Sequence, residues 1–227
     1  MKRSRGDDAL TESQEDYLKQ ILLLAEDGGN VSTQSLSERL GVRPASVTGM
    51  VQKLARLGLV DHRRYRGVRL THSGRQVALE LLRHHRLLET YLVEHLDYNW
   101  GEVHEEAERL EHVISERFEA RIAEVLGHPT HDPHGDPIPD ADLRMPELGQ
   151  ETNLSSLAPR MGGTVSRVCV QDPDRLSVLE ELGLVPGARV DVLGGESKNI
   201  RVAVAGKGRY LVPAELATQV WLKEPSQ

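Results

Sequence analysis

The chain has 227 residues, with 28 Lys and Arg against 35 Asp and Glu and a formal net charge of −7. At roughly 100–200 residues per domain, this length predicts one to three domains, enough to bury a core without staples. The single cysteine, Cys169, excludes an internal disulfide framework and any CxxC zinc module, and the lack of an apolar run of about 18 residues excludes a membrane-spanning helix.

Met1 to Ala9 is polar and lacks the apolar core of a signal peptide, so a cytoplasmic location is expected. From Ser13 to Glu26, Tyr17, Leu18, Ile21, Leu22 and Leu24 recur at helical spacing behind an N-cap at Thr11 or Ser13. A short helix over Leu36 to Leu40 stops at Gly41, and a third helix over about Ala45 to Leu57 carries the stripe Val47, Met50, Val51 and Leu54. Leu59-Val60 and Val68-Arg69-Leu70 flank a basic tip, which predicts a β-hairpin. Helix, helix-turn-helix and hairpin together predict a winged helix-turn-helix.

A long helix is expected from about Thr71 to His95, and a further one from Val103 to Leu126 with Val103, Ala107, Leu110, Ile114, Phe118 and Ile122 on one stripe. His128 to Glu147 holds five prolines and cannot be helical throughout. Four β-rich runs follow, at Gly163–Val168, Arg189–Leu193, Ile200–Val204 and Tyr210–Val212, and their spacing suggests a barrel of about 70 residues. With 4% aromatics and one phenylalanine, the core must come from Leu, Val, Ile and Ala.

Charge is unevenly spread. Arg39 to Arg75 holds nine Lys and Arg against one acid, Asp61, whereas Gln76 to Glu147 holds six basic residues against seventeen acidic ones. The basic segment coincides with the helix-turn-helix, whose second helix would enter the major groove by its N-terminal residues. Arg43, Ala45, Ser46, Thr48 and Gly49, with Gln52 further along, are small, basic or hydrogen-bonding. Arg63, Arg64, Tyr65 and Arg66 at the hairpin tip suit phosphates or an adjacent groove.

In the acidic segment, His85 and Glu89 are four apart and share a helix face. His104, Glu108, Glu111 and His112 follow at i, i+4, i+7 and i+8, within a sector of about 100°. Imidazoles and carboxylates on one half-buried face are costly unless a cation neutralises them. Asp16, beside Tyr17 on the first helix, could close such a site. His128, His131 and His134 lie among prolines and read as a structural loop, and Cys169 as a core or strand residue. The alternative is an enzyme, a metal-dependent hydrolase built on the same His and carboxylate cluster. Against it, no phosphate loop, nucleophile elbow or HExxH motif occurs.

The run Glu102-Val103-His104-Glu105-Glu106-Ala107-Glu108-Arg109-Leu110-Glu111-His112 resembles the metal-binding helix of the diphtheria-toxin-repressor family of iron- and manganese-responsive regulators. So does Arg83-His84-His85-Arg86-Leu87-Leu88-Glu89, and the loop Pro133-His134-Gly135-Asp136-Pro137-Ile138-Pro139 is a further hallmark. The resemblance implies a mainly α protein with a small β part. Residues 1–73 would form the winged helix-turn-helix, 74–149 a helical dimerisation and metal-binding domain, and 150–227 an SH3-like (FeoA-like) β-barrel. It also implies a primary metal position at Asp16, Glu108, Glu111 and His112. An ancillary position would use His85, Glu89 and His104, with a minor contribution near Asp172. The carboxylates at Asp16 and Glu108 match the manganese-responsive members. Mn2+ is therefore the expected cofactor, Fe2+ the alternative, and Zn2+, Co2+ or Cd2+ are able to substitute. The expected partners are a second copy of the chain and a palindromic DNA operator, and the expected role is repression of metal-homeostasis genes.

Overall fold

The computed structural model describes residues 10–25, 29–63, 66–170, 172–196 and 198–226. They form two compact units, one reaching Arg83 and including Ala141–Leu143, the other built from His84–Asp140 and Arg144 onward.

The first unit opens with α1 (Glu12–Leu24), α2 (Thr33–Leu40) and α3 (Pro44–Arg56), then the antiparallel strands β1 (Val60–Arg63) and β2 (Gly67–Leu70), and receives the start of α4 (His72–Leu96). Thr11 caps α1, its N–H donating 2.9 Å to Gln14 Oε1, and the Ser32 hydroxyl accepts from Ser35 N–H at 2.9 Å to start α2. Gly41 ends α2 in the left-handed conformation, and Pro44 begins α3, where a missing N–H costs nothing. Tyr17, Leu18, Ile21, Leu36, Val47, Val51, Leu54, Val60 and Val68 bury together, so the predicted stripes meet in one core. Met50 stays at its margin. One pairing is new: Val31 bridges to Val68, with N–H···O bonds of 2.8 and 2.9 Å in both directions. Gly67 makes room for it, because a Cβ there would stand 2.5 Å from Val31 O.

Gly74 sits in the first turn of α4, where a Cβ would come within 1.9 Å of the Leu59 carbonyl oxygen. Helix propensity alone makes Ala better than Gly by about 0.8–1 kcal/mol. Overpacking against fixed backbone costs about 1–3 kcal/mol and should reverse that sign. Gly74→Ala is therefore expected to lower the unfolding midpoint in urea; a raised midpoint would mean that the contact relaxes freely.

The second unit contains the remainder of α4, α5 (Trp100–Leu110), α6 (Glu116–Val125), β3 (Glu151–Asn153), β4 (Gly162–Val168), α7 (Pro173–Leu182), β5 (Arg189–Glu196), β6 (Asn199–Val204), β7 (Gly208–Pro213), α8 (Ala214–Ala217) and β8 (Val220–Ser226). The four predicted β runs become β4 to β7 of a six-stranded sheet ordered β3-β8-β4-β5-β6-β7, with every neighbouring pair antiparallel. Leu87, Leu88, Leu92, Val103, Ala107, Ile122 and Ile138 form a helical core. Trp100, from α5, is buried instead among Val165, Leu176, Leu179 and Val190 of the β-rich part. Among the described residues, no helix is long and apolar enough to cross a membrane.

One expectation needs correction, and one helix was not anticipated. The single helix over Val103 to Leu126 is broken, because Ser115 accepts the Phe118 N–H at 3.3 Å and starts a new helix, α6. Phe118 consequently leaves the buried stripe and is 48% exposed. Between β4 and β5 lies α7, which the strand-like runs around it concealed.

Candidate metal centre and DNA-binding face

Arg43, the N-cap of α3 in the first unit, and Ala45, Ser46, Gly49 and Gln52 on that helix are exposed, while Val47 and Val51 face the core. A Cβ at Gly49 would meet nothing within 4 Å, so this face is open. Thr48 is half-buried and its hydroxyl donates 3.0 Å to Pro44 O, which ties it to its own helix. Arg66 at the hairpin is exposed; Arg64 and Tyr65 lie outside the described residues, and Arg63 is described only as the end of β1. Asp16 is half-buried on α1 in this unit.

In the second unit, α4 and α5 present His85, Glu89, His104, Glu108 and Glu111 to one another. His85 is the hub. Its Nδ1 lies 2.6 Å from Glu111 Oε2 and 3.5 Å from Glu108 Oε2. Its Nε2 lies 3.0 Å from Glu89 Oε1 and 3.1 Å from His104 Nδ1, and the latter is 3.1 Å from Glu89 Oε1. The triangle of His85 Nε2, His104 Nδ1 and Glu89 Oε1 is awkward as hydrogen bonding. If both ring nitrogens donate to the carboxylate, two N–H groups face each other. As a ligand set it is natural, since cis donors at about 2.1 Å around an octahedral ion lie about 3.0 Å apart. Glu111 is fully buried and its other oxygen is 3.6 Å from His112 Nε2.

The loop over 128–147, read from the sequence as structural, brings His134 close to buried acids. Glu89, Asp132 and His134 are all buried, with ligand atoms within 4.8 Å of one another. His134 Nδ1 stands 3.8 Å from Glu89 Oε2, whose partner oxygen belongs to the triangle above. Its Nε2 is buried and makes no hydrogen bond. The prolines do not spoil this geometry, because Asp132 Oδ1 accepts the backbone N–H of both His134 and Asp136 at 2.9 Å and curls the loop around itself. His128 and His131 remain exposed, as a structural loop requires.

The electrostatics agree. Burial raises the Glu89 carboxyl, but His85, His104 and His134 outweigh it and hold Glu89 well below the usual carboxylate range. Burial, reinforced by the charges of Glu89 and Asp136, pushes Asp132 well above its ordinary value despite Arg86. Burial also lowers His134, so its imidazole is neutral at pH 7 with a lone pair to offer. Clustered acids and imidazoles of this kind fit a divalent cation. Asp172 does not join them: it is exposed and its Oδ1 accepts the Arg175 N–H at 2.9 Å as the N-cap of α7. Cys169 is half-buried beside Arg167, its thiol pushed up to about 11 by burial and the Asp136 charge.

Three family descriptions match the chain: "Iron dependent repressor, N-terminal DNA binding domain" over residues 9–68, "Iron dependent repressor, metal binding and dimerisation domain" over 71–140, and "FeoA domain" over 152–224. The chain is 35% identical over 222 residues to the iron-dependent repressor IdeR of Mycobacterium tuberculosis (strain ATCC 25618 / H37Rv), covering 93% of this chain and 96% of the relative. It is 32% identical over 199 residues to the diphtheria toxin repressor of Corynebacterium efficiens, covering 83% and 86%. A solved manganese-dependent transcriptional repressor in complex with manganese superposes with a TM-score of 0.83 at 40% identity, covering 92% of this chain and 98% of that one.

Proposed function

Since the chain belongs to the diphtheria-toxin-repressor family of metal-dependent transcriptional repressors, we propose that it is a homodimeric, Mn2+-activated repressor of metal-uptake genes that reads a palindromic operator. Members of this family are DNA-binding regulators and not enzymes, so the hydrolase alternative is set aside. The observation that carries the metal reading is the donor triangle of His85, His104 and Glu89, with spacings of 3.0–3.1 Å. Carboxylate-rich donors with imidazoles suit Mn2+ and leave Fe2+ as the alternative, whereas thiolates would favour softer ions.

In this reading His85, Glu89 and His104 hold one metal, and Asp132 and His134 offer a second position that shares Glu89. Glu108, Glu111 and His112 serve the primary position, to which Asp16 is added on the strength of the sequence resemblance. Bound metal supplies the divalent charge that relieves the repulsion among these carboxylates. At the N-cap of α3, Arg43 holds a phosphate, while Ala45, Ser46, Gly49 and Gln52 on that helix allow close approach to base edges. The functional segments are taken as 1–73, 74–149 and 150–227.

The test is duplex binding by the full chain, using a pool enriched on the Mn2+-loaded protein, with Mn2+, anaerobic Fe2+ and no metal compared. A gain with Mn2+ of about 5- to 150-fold is expected, the range typical of such coupling. Equal affinity with and without metal would remove metal activation, and a larger gain with Fe2+ would replace manganese with iron.

A further inference from the structure

The metal-binding loop is held from two sides, and the side facing the sheet is unexpected. Toward α4, buried Arg86 reaches Asp132 Oδ2 at 3.5 Å and Asp136 Oδ2 at 3.6 Å, and donates to Pro137 O. Toward the FeoA-type domain, Arg167 of β4 reaches Asp136 Oδ1 at 3.6 Å. Arg167 is itself fixed, because its Nε donates 2.7 Å to Glu151 Oε2 on β3 and its guanidinium lies 5.2 Å over the Trp221 ring of β8. Backbone contacts follow the same route: Val168 N–H donates 2.8 Å to His134 O. A Cβ on Gly135 would lie 2.1 Å from Ser166 O and 2.8 Å from Arg167 Cα, so loop and strand touch main chain to main chain. His134 is also wedged edge-on against Trp100, with ring centroids 4.7 Å apart.

Asp136 therefore sits between two guanidiniums, one from the metal-binding helix and one from the β-rich domain. Its own backbone sets Asp132: Asp132 N–H donates 2.9 Å to Asp136 O, and Asp136 N–H returns a 2.9 Å bond to Asp132 Oδ1. Whatever fixes Asp136 fixes the carboxylate of Asp132 and, two residues on, the ring of His134.

We propose that Arg167 is a positioning residue for the metal: through Asp136 it holds Asp132 and His134 at Glu89, so that the C-terminal domain organises the loop position without donating a ligand. The proposal rests on the reading of Glu89, Asp132 and His134 as a metal position. Groups that orient metal ligands typically cost 10- to 100-fold in metal affinity when removed. Coupling should be reciprocal, so metal bound in the loop also tightens the docking of β4.

The experiment is calorimetric titration of the full-length protein with Mn2+, for wild type, Asp132→Asn, Arg167→Gln and Arg167→Lys, with near-UV circular dichroism to verify folding. Asp132→Asn should remove one class of Mn2+ binding. Arg167→Gln should weaken that same class roughly tenfold or more, leaving the remaining binding unchanged. Arg167→Lys, which keeps the charge but not the fork that reaches Asp136 and Glu151 together, should recover part of the loss. Hydrogen exchange at Asp132 to Asp136 should quicken in Arg167→Gln and slow on Mn2+ addition to wild type. If Asp132→Asn loses Mn2+ and Arg167→Gln does not, the positioning role is overturned while the metal position stands. If Asp132→Asn binds Mn2+ as wild type does, the metal position fails and the proposal fails with it.

Discussion

A Glu111→Gln variant is expected to keep its fold and to lose Mn2+ affinity by at least about 100-fold, since even groups that only orient ligands are worth 10- to 100-fold. Glu111 ends α5, its side chain is fully buried, and its Oε2 lies 2.6 Å from His85 Nδ1. Glutamine has the same shape, and its amide oxygen can still accept from that nitrogen. What disappears is the negative charge, which a cation needs and a hydrogen bond does not. The competing account makes Glu111 a buried partner that orients His85 and nothing more. Under that account the substitution shifts stability by about 1–3 kcal/mol, the cost of disturbing a buried charged hydrogen bond, and leaves the Mn2+ titration nearly unchanged. Calorimetry with Mn2+ beside a urea melt separates the two. A variant within about threefold of wild-type affinity would demote Glu111 to support.

The helical cluster of candidate ligands was legible because helix geometry is local. Residues four apart share a face whatever surrounds them, so His85 with Glu89, and His104 with Glu108, could be read from spacing alone. The winged domain was legible for a similar reason: a cap at Thr11, the stop at Gly41 and apolar stripes all pointed to the same elements. Asp132 and His134 were not legible. Their convergence on Glu89 depends on a turn stapled by Asp132 Oδ1, on Gly135 at φ 88 and on the close passage of β4, and that strand lies about thirty residues further along the chain. A Pro-rich loop looks disordering in isolation, yet once anchored its prolines remove alternatives. Asp-Pro-His in such a loop was the signal to weigh.

Asp172 shows the converse error. A carboxylate implied as a minor ligand by resemblance is a helix cap, and the cue was present in Asp172-Pro173, an N-cap residue followed by a proline in the first turn. The break at Ser115 has the same character. Val103, Ala107, Ile114 and Ile122 keep helical spacing across it, so periodicity saw one helix where the serine hydroxyl starts a second. Apolar period is insensitive to a short interruption, and capping chemistry is the finer test.

Glu108 carries the last prediction, because the proposed preference for Mn2+ rests on its carboxylate. It is 40% exposed and its Oε2 stands 3.5 Å from His85 Nδ1, four residues after His104 and three before buried Glu111. Its position on α5 therefore lets it offer a hard oxygen donor beside two imidazoles. Mn2+ lies at the weak end of the divalent series, so a manganese site must avoid donors that reward its competitors. Glu108→Cys introduces such a donor: a thiolate binds zinc at about 2.3 Å and strengthens the softer ion far more than it strengthens Mn2+. The expected result is a rise of roughly tenfold or more in the Zn2+ to Mn2+ affinity ratio, about 1.4 kcal/mol or more of discrimination. The measurement is competition against a chelator under reducing conditions, which keeps the new thiol and Cys169 from pairing. The alternative is a surface carboxylate that solvates α5 and touches no metal. A cysteine placed there would add a thiol in water, and the ranking of Mn2+ and Zn2+ would stay where wild type sets it. That outcome would remove Glu108 from the ligand set and leave Glu111 and His112 to carry the primary position.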